Sequence, residues 1–241
     1  MRTDTVSMHA LVNDITRNRS NSIVLLCDGS VNDRQWGIGV CNAYSSEAWS
    51  SGGSGKELPF LHSQSGCLDV SVAETLSIIF ALMVGCCGGN NNTILYIITD
   101  RMVTLASFIH RKKAKPRFYI ALCLLQELLN EACSKYRYVH FVHTRVLEYG
   151  DGWKPDGLAK GGRKRCSAQS GDDVRVLETI QNKTEDLVER ENLEERVNRP
   201  ERLRIGGGSQ LELLYPTYSE DMHLLGIAFR QRSGPKAESV D

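Results

Sequence analysis

Ile23–Cys27 (IVLLC) is an unbroken apolar run that ends on a carboxylate, Asp28. A run that is apolar at every position, rather than at every second one, marks a strand covered on both faces. Such a strand belongs in the middle of a sheet with helices on either side. The carboxylate at its end is costly to bury unless something compensates it. Thr93–Thr99 (TILYIIT) repeats the pattern and ends on a second carboxylate, Asp100.

The elements between and after these runs set the fold class. Gln35–Tyr44 (QWGIGVCNAY) reads as a second strand, with Gly37 and Gly39 on one face, and Glu47–Ser51 as a short third one. Ser50–Gly55 is rich in Gly and Ser and reads as turn. Ser71–Gly85 is helical, with Leu76, Ile79, Phe80 and Met83 at helical spacing and Ser71 and Glu74 placed as a capping box. Met102–Ile109 reads as a short helix, and His110–Arg117 as a basic connector. Phe118–Ser134 reads as a longer helix with Pro116 at its start. Tyr138–His143 is a strand, and Gly157–Lys160 a short helix that Gly161-Gly162 cuts off. The order β-β-β-α-β-α-α-β-α is a meander followed by alternation. It predicts an α/β fold with a mixed five-stranded sheet and helices on its faces.

The predicted division is an N-terminal extension at 1–20, the α/β domain at 21–162 and an extension at 163–241. Within the last part, Asp172–Arg199 is acidic and weakly amphipathic, and two short apolar patches, LELLY and LLGIAF, follow Gly206-Gly207-Gly208. The extension is expected to be helical or disordered, and nothing in the sequence names its partner.

Composition excludes other classes. With 41% apolar and 24% charged residues in 241, the chain has ample material for a core. Its most apolar stretch, Leu76–Val84, is far shorter than the roughly 20 residues that cross a bilayer, so no membrane contact is expected. The first residues lack the apolar segment of a secretory signal, and Asp4 and Asp14 argue against a mitochondrial presequence. The eight cysteines form no C-x-x-C pair and read as reduced, buried thiols of an intracellular protein, cytoplasmic or nuclear. Without paired ligand spacing, no zinc site is expected.

The net charge of zero hides a contrast. Residues 1–100 carry 5 basic and 9 acidic side chains, 101–165 carry 14 and 5, and 166–241 carry 10 and 15. A basic block within the folded region suggests an anionic partner such as nucleic acid, or else a solvated surface.

Four acidic residues stand where elements meet: Asp28, Glu74, Asp100 and Asp156. If the strands ending in Asp28 and Asp100 are neighbours, the two converge, and Glu74 reaches them from a packed helix. Oxygen ligands of this kind suit Mg²⁺, with Mn²⁺ as the alternative. Four carboxylates can hold two such ions for phosphoryl transfer. Each also has a structural role open to it: Glu74 as partner of Ser71, Asp100 and Asp156 as helix N-caps, Asp28 as the first residue of a D-G-S turn. His9, His62, His110, His140 and His223 have no evident partners and are expected to be structural.

Taken in order, several segments resemble the ribonuclease H family. They are Asp28-Gly29-Ser30 with Gly37-Ile38-Gly39, Ala73-Glu74 with Ala81-Leu82, Thr99-Asp100, and His143 followed by Gly150-Asp151 and Asp156-Gly157-Leu158-Ala159-Lys160. The resemblance runs from about Ile23 to Gly162, 140 residues of the 241. It implies an endonuclease that hydrolyses the RNA strand of RNA–DNA hybrids, leaving 5′-phosphate and 3′-hydroxyl ends. Asp28, Glu74, Asp100 and Asp156 would be the Mg²⁺ ligands in a two-metal mechanism. His143, on a mobile loop after the last strand, would assist proton transfer or product release. Ser30 and Ser71 would contact nucleic acid, and Arg111, Lys112, Lys113, Lys115 and Arg117 would grip phosphates of the DNA strand. The alternative is a binding module of the same fold that holds nucleic acid or protein without cutting.

Overall fold

The structure is a computed structural model. It describes residues 21–32, 34–55, 68–88, 90–100, 121–143, 154–164, 178–180, 182–183 and 186. It also gives the backbone course of 116–120, 211–219 and 224–231. The elements in chain order are β1 (Ser22–Val31), β2 (Gln35–Asn42), β3 (Ala48–Ser54), α1 (Val70–Cys86), β4 (Ile94–Thr99), α2 (Pro116–Lys135), β5 (Tyr138–His143), α3 (Lys154–Lys164), β6 (Leu211–Ser219) and β7 (Leu224–Gln231). The helix expected at Met102–Ile109 and the connector cations Arg111, Lys112, Lys113 and Lys115 lie outside the described residues. So does the side chain of Arg117, in the first turn of α2.

The apolar runs become the central strands. β1 pairs antiparallel with β2 and parallel with β4, β2 pairs antiparallel with β3, and β4 pairs parallel with β5. The mixed order β3-β2-β1-β4-β5 is the five-stranded sheet that the element order predicts. The C-terminal extension, expected to be helical or disordered, instead adds two strands at its apolar patches and widens the sheet to seven: β7 pairs antiparallel with β5, and β6 with β7. β6 carries Pro216 within a register shift between Leu214 and Thr217. An edge strand tolerates that residue because one side of its ladder is unpaired. In the acidic stretch, residues 178–180, 182–183 and 186 are helical.

The pleat divides the side chains. Leu25 and Cys27 of β1, Ile38 and Val40 of β2, Leu95 and Ile97 of β4, and Val139 and Phe141 of β5 pack with α1 and α2 in the main core. Val24, Tyr96, Ile98 and Val142 form a second cluster. α1 buries nearly its whole length, including Leu76, Ile78, Ile79 and Leu82. α3 lies on the sheet face opposite α1, over Gly37 and Gly39 of β2 and Gly52 of β3.

Three local readings change. β1 does not stop at Cys27 but continues to Val31, because Asp28, Gly29 and Ser30 stay in ladder with Gly39, Ile38 and Gly37. Asp28 is therefore a strand residue and not the start of a turn. β3 likewise runs through the Gly/Ser-rich segment that reads as turn, since Gly52 and Gly53 pair with Gly37 and Trp36. α3 runs on through Gly161-Gly162 to Lys164. A Cβ at Gly162 would stand 2.4 Å from the Ser51 carbonyl oxygen, so this glycine lets the helix touch the strand.

Candidate active site

Asp28, Glu74 and Asp100 meet at the C-terminal edge of the parallel pair β1 and β4, with ligand oxygens all within 4.8 Å of one another. Each reaches that point for a local reason. Asp28 is carried within β1, directly after its buried apolar run, and it is 6% exposed. Asp100 directly follows β4, which runs parallel to β1 in register Leu26↔Ile98. Glu74 comes from α1 and is 5% exposed.

α1 gets close enough because of Gly29. A Cβ there would lie 2.5 Å from the backbone carbon and oxygen of Ala73 and 2.7 Å from the Glu74 nitrogen. Helix and strand thus touch backbone to backbone at the residue next to each carboxylate. The Gly29 N–H donates to Asp28 Oδ1 at 2.8 Å and to Glu74 Oε2 at 3.2 Å, one donor shared by two carboxylates.

The capping box of Ser71 and Glu74 does not form. Asp69 is the N-cap, its side chain accepting from the Ser71 N–H at 2.9 Å. An aspartate two residues upstream outcompetes the serine, and Glu74 is released toward Gly29. Ser71 stands in the first turn of α1.

Burial pushes the Asp28 carboxyl up from its ordinary 3.8 to about 7, with the negative charge of Asp100 and then that of Asp156 adding to the effect. The Gly29 N–H acts in the opposite direction without overcoming it. Such a cluster is poorly solvated and gathers negative charge, as a site for a hard divalent cation is expected to.

Asp156 stands on α3, on the same sheet face as Asp28, and is close enough for its charge to act there. It is not within the 4.8 Å group. Its Oδ2 accepts from Lys160 Nζ at 2.7 Å. Asp156 lies in the first turn of α3, behind Pro155 and Lys154, rather than as the N-cap.

His143 is the last residue of β5, in register with Thr99, and not part of a following loop. Its Nε2 lies 2.9 Å from the Asp100 carbonyl oxygen. Because a carbonyl only accepts, Nε2 carries the hydrogen. The ladder between β4 and β5 ends at His143, where the strand is expected to end, and it keeps this ring beside the cluster. His140, for which the sequence offers no partner, stacks on Tyr96 with ring centroids 4.8 Å apart.

Ser30 is two residues beyond Asp28, and its Oγ accepts from Arg163 at 2.9 Å. Arg163 was not singled out from the sequence. It lies at the seventh position after Asp156, on the same stripe of α3 as Asp156 and Lys160. That spacing becomes visible once the helix is read through its glycines. Of the thiols expected to be buried, Cys27, Cys41 and Cys133 are, Cys86 and Cys123 are half-buried and Cys87 is exposed; burial raises Cys41 and Cys86 to about 11 and Cys133 to about 12.

No known family profile matches the chain. No curated protein is significantly similar to it in sequence. Among solved structures it is similar to the N-terminal RNase H domain of a Mycobacterium tuberculosis protein, solved as a fusion with maltose binding protein. There the identity is 19% and the TM-score 0.42, covering 61% of this chain and 96% of that one. It is also similar to LC11-RNase H1, solved in complex with an RNA/DNA hybrid, at 15% identity and TM-score 0.43, covering 61% and 99%. RNase H1 from the halophilic archaeon Halobacterium salinarum matches at 15% identity and TM-score 0.41, covering 58% and 96%. The strand order β3-β2-β1-β4-β5 with helices on both faces makes the core of this chain a mixed α/β fold, the class that the element order predicts.

Proposed function

We propose that the chain is a Mg²⁺-dependent endonuclease that hydrolyses the RNA strand of RNA–DNA hybrids. The observation that carries this reading is the meeting of Asp28, Glu74 and Asp100, from three separate elements, at the end of two parallel strands. Nothing in the packing of the fold calls for three carboxylates there, and their mutual repulsion costs stability.

Asp28, Glu74 and Asp100 would hold the metal, with Asp156 as a further ligand on the α3 side; Mn²⁺ would be accepted by the same oxygens. Bound there, a divalent cation neutralises charge on the reacting phosphate and lowers the pKa of a bound water. The chain's own contribution is orientation. The Gly29 N–H fixes one oxygen each of Asp28 and Glu74. His143 holds the Asp100 backbone carbonyl through Nε2–H, which sets where that residue leaves the strand. Asp156, held by Lys160, is a carboxylate in reserve that an incoming cation would draw away from its ammonium partner.

Ser30 would face the nucleic acid beside the cluster. Ser71, Arg111, Lys112, Lys113, Lys115 and Arg117 would contribute phosphate contacts, which would make binding sensitive to salt. A hybrid is distinguished from duplex DNA by the 2′-hydroxyls that its RNA strand exposes in the minor groove. We further propose that the catalytic unit is the segment 21–162.

The test is cleavage of a labelled RNA–DNA hybrid with Mg²⁺ or Mn²⁺, beside Asp28→Asn and Asp100→Asn. Cutting of the RNA strand by the parent, lost in both variants, is the expected result. Hybrid binding without cutting under either metal would overturn the enzyme reading in favour of a binding module.

A further inference from the structure

α3 rests on glycine. Cβ atoms at Gly39, Gly37 and Gly52 would stand 2.3 Å from the Pro155 oxygen, 2.1 Å from the Ala159 oxygen and 2.5 Å from the Gly162 carbon and oxygen, respectively. Three strand positions and Gly162 together form a backbone-to-backbone seat. Ordinary helix packing sets register by lodging side-chain ridges in grooves. A floor without side chains offers no such ridges, so the position of the helix along it has to be fixed in another way.

Arg163 supplies the fixing contact. Its Nη1 donates to Ser30 Oγ at 2.9 Å and to the Val31 carbonyl oxygen at 2.8 Å. The other end of the seat is the acidic cluster, because Gly39, which lies beneath Pro155, is the ladder partner of Asp28. The spans agree. From Asp156 to Arg163 the helix rises about 10.5 Å at 1.5 Å per residue. From Asp28 to Val31 the strand covers about 10 Å. Helix and strand thus run side by side, with one pair of acids at the near end and one guanidinium clasp at the far end.

We propose that Arg163 is a positioning residue: by clasping the end of β1, it fixes the register of α3 and so sets how far Asp156 stands from Asp28. The proposal rests on the metal-site part of the function given above. A slip of α3 by one residue would move Asp156 by about 1.5 Å, enough to take a ligand oxygen out of range.

The test is Mn²⁺ affinity of the full chain by calorimetry, measured in the parent and in Arg163→Met, Arg163→Lys, Ser30→Ala, Asp156→Asn and Asp156→Asn/Arg163→Met. Removing the clasp with Arg163→Met should weaken Mn²⁺ binding about tenfold, in the range seen for residues that orient metal ligands. Arg163→Lys should restore most of the loss, and Ser30→Ala, which removes one of the two acceptors, should lose less. In the Asp156→Asn background, Arg163→Met should cost nothing further. If Arg163→Met does not fold, Ser30→Ala and Arg163→Lys carry the comparison. Parent-like affinity in the clasp variants, or an equal loss with and without Asp156, overturns the proposal. A parent that binds no Mn²⁺ removes the metal site and the proposal with it. The expected affinity pattern without hybrid cleavage by the parent would keep Arg163 in its role and remove only the nuclease reading.

Discussion

Asp28→Asn should make the metal-free protein more stable at alkaline pH. The native carboxyl is raised from 3.8 to about 7 by burial and by Asp100 and Asp156. Between those two values the native state holds a proton that the unfolded chain has released. Stability from this group is therefore fully present below pH 3.8, falls as pH rises, and is lost above about 7. Keeping the carboxylate ionised at pH 8 costs about 4 kcal/mol on this basis. Asparagine removes the charge and retains an oxygen that can accept from the Gly29 N–H. The expected gain, after imperfect fit of the amide, is about 2–4 kcal/mol, or about 5–15 °C in Tm for a chain of this size. At pH 4 the two proteins should be nearly equal. The assay is thermal unfolding with chelator present from pH 4 to pH 8, read by circular dichroism. Adding Mg²⁺ should narrow the gap, by about 2.7 kcal/mol at a hundredfold excess over Kd, since only the parent keeps the full ligand set. Equal or lower stability of Asp28→Asn at pH 8 without metal would refute the account of Asp28 as a carboxyl raised by burial and by the charge of Asp100.

Other outcomes follow from the packing. Millimolar Mg²⁺ should raise the Tm of the parent, by about 1.4 kcal/mol of stabilisation at tenfold excess over Kd. Chelator should cancel it, and no shift at saturating metal would count against the site. Gly29→Ala should destabilise by about 3 kcal/mol and abolish metal binding, because the new methyl forces α1 off β1; a parent-like melting curve would show that helix and strand do not touch there. Leu76→Ala, at a fully buried position of α1, should cost about 3 kcal/mol in denaturant unfolding, whereas a loss under 1 kcal/mol would contradict its place in the core. In the native protein, Cys87 is exposed and should alkylate at pH 8, while Cys27, Cys41 and Cys133 are buried and should react only on unfolding. Mass spectrometry of the labelled sites decides this.

The strands and acids were legible because their signals are local. A five-residue apolar run cannot be accommodated at a sheet edge, and each run led straight to the carboxylate it positions. The helical period of α1 was equally plain. What misled were residues with two uses. Gly-Ser segments are frequent in turns, yet in β3 they are strand residues that make room for α3. Gly161-Gly162 is a common stop, yet α3 continues because Gly162 removes a clash with Ser51. Ser71 and Glu74 have capping spacing, but Asp69 takes the cap and the glutamate goes elsewhere. None of these outcomes can be read from the segment itself, since each is decided by an element far away in sequence.

The same reasoning explains why the glycines matter as much as the acids. A carboxylate can be supplied by any aspartate, but three of them converge only if their carriers touch. Side-chain packing keeps helix axes about 8–10 Å apart or more, and carboxylates on well-separated carriers do not share one donor. Gly29 lets α1 rest on β1, so that a single N–H serves Asp28 and Glu74. Gly37, Gly39 and Gly52 let α3 rest on β2 and β3, which brings the charge of Asp156 to bear on Asp28. Replacing Asp156 should remove one ligand and leave the fold intact, while Gly39→Ala should move the whole helix that bears it. The glycine variant should therefore lose both stability and metal affinity, and the aspartate variant affinity alone.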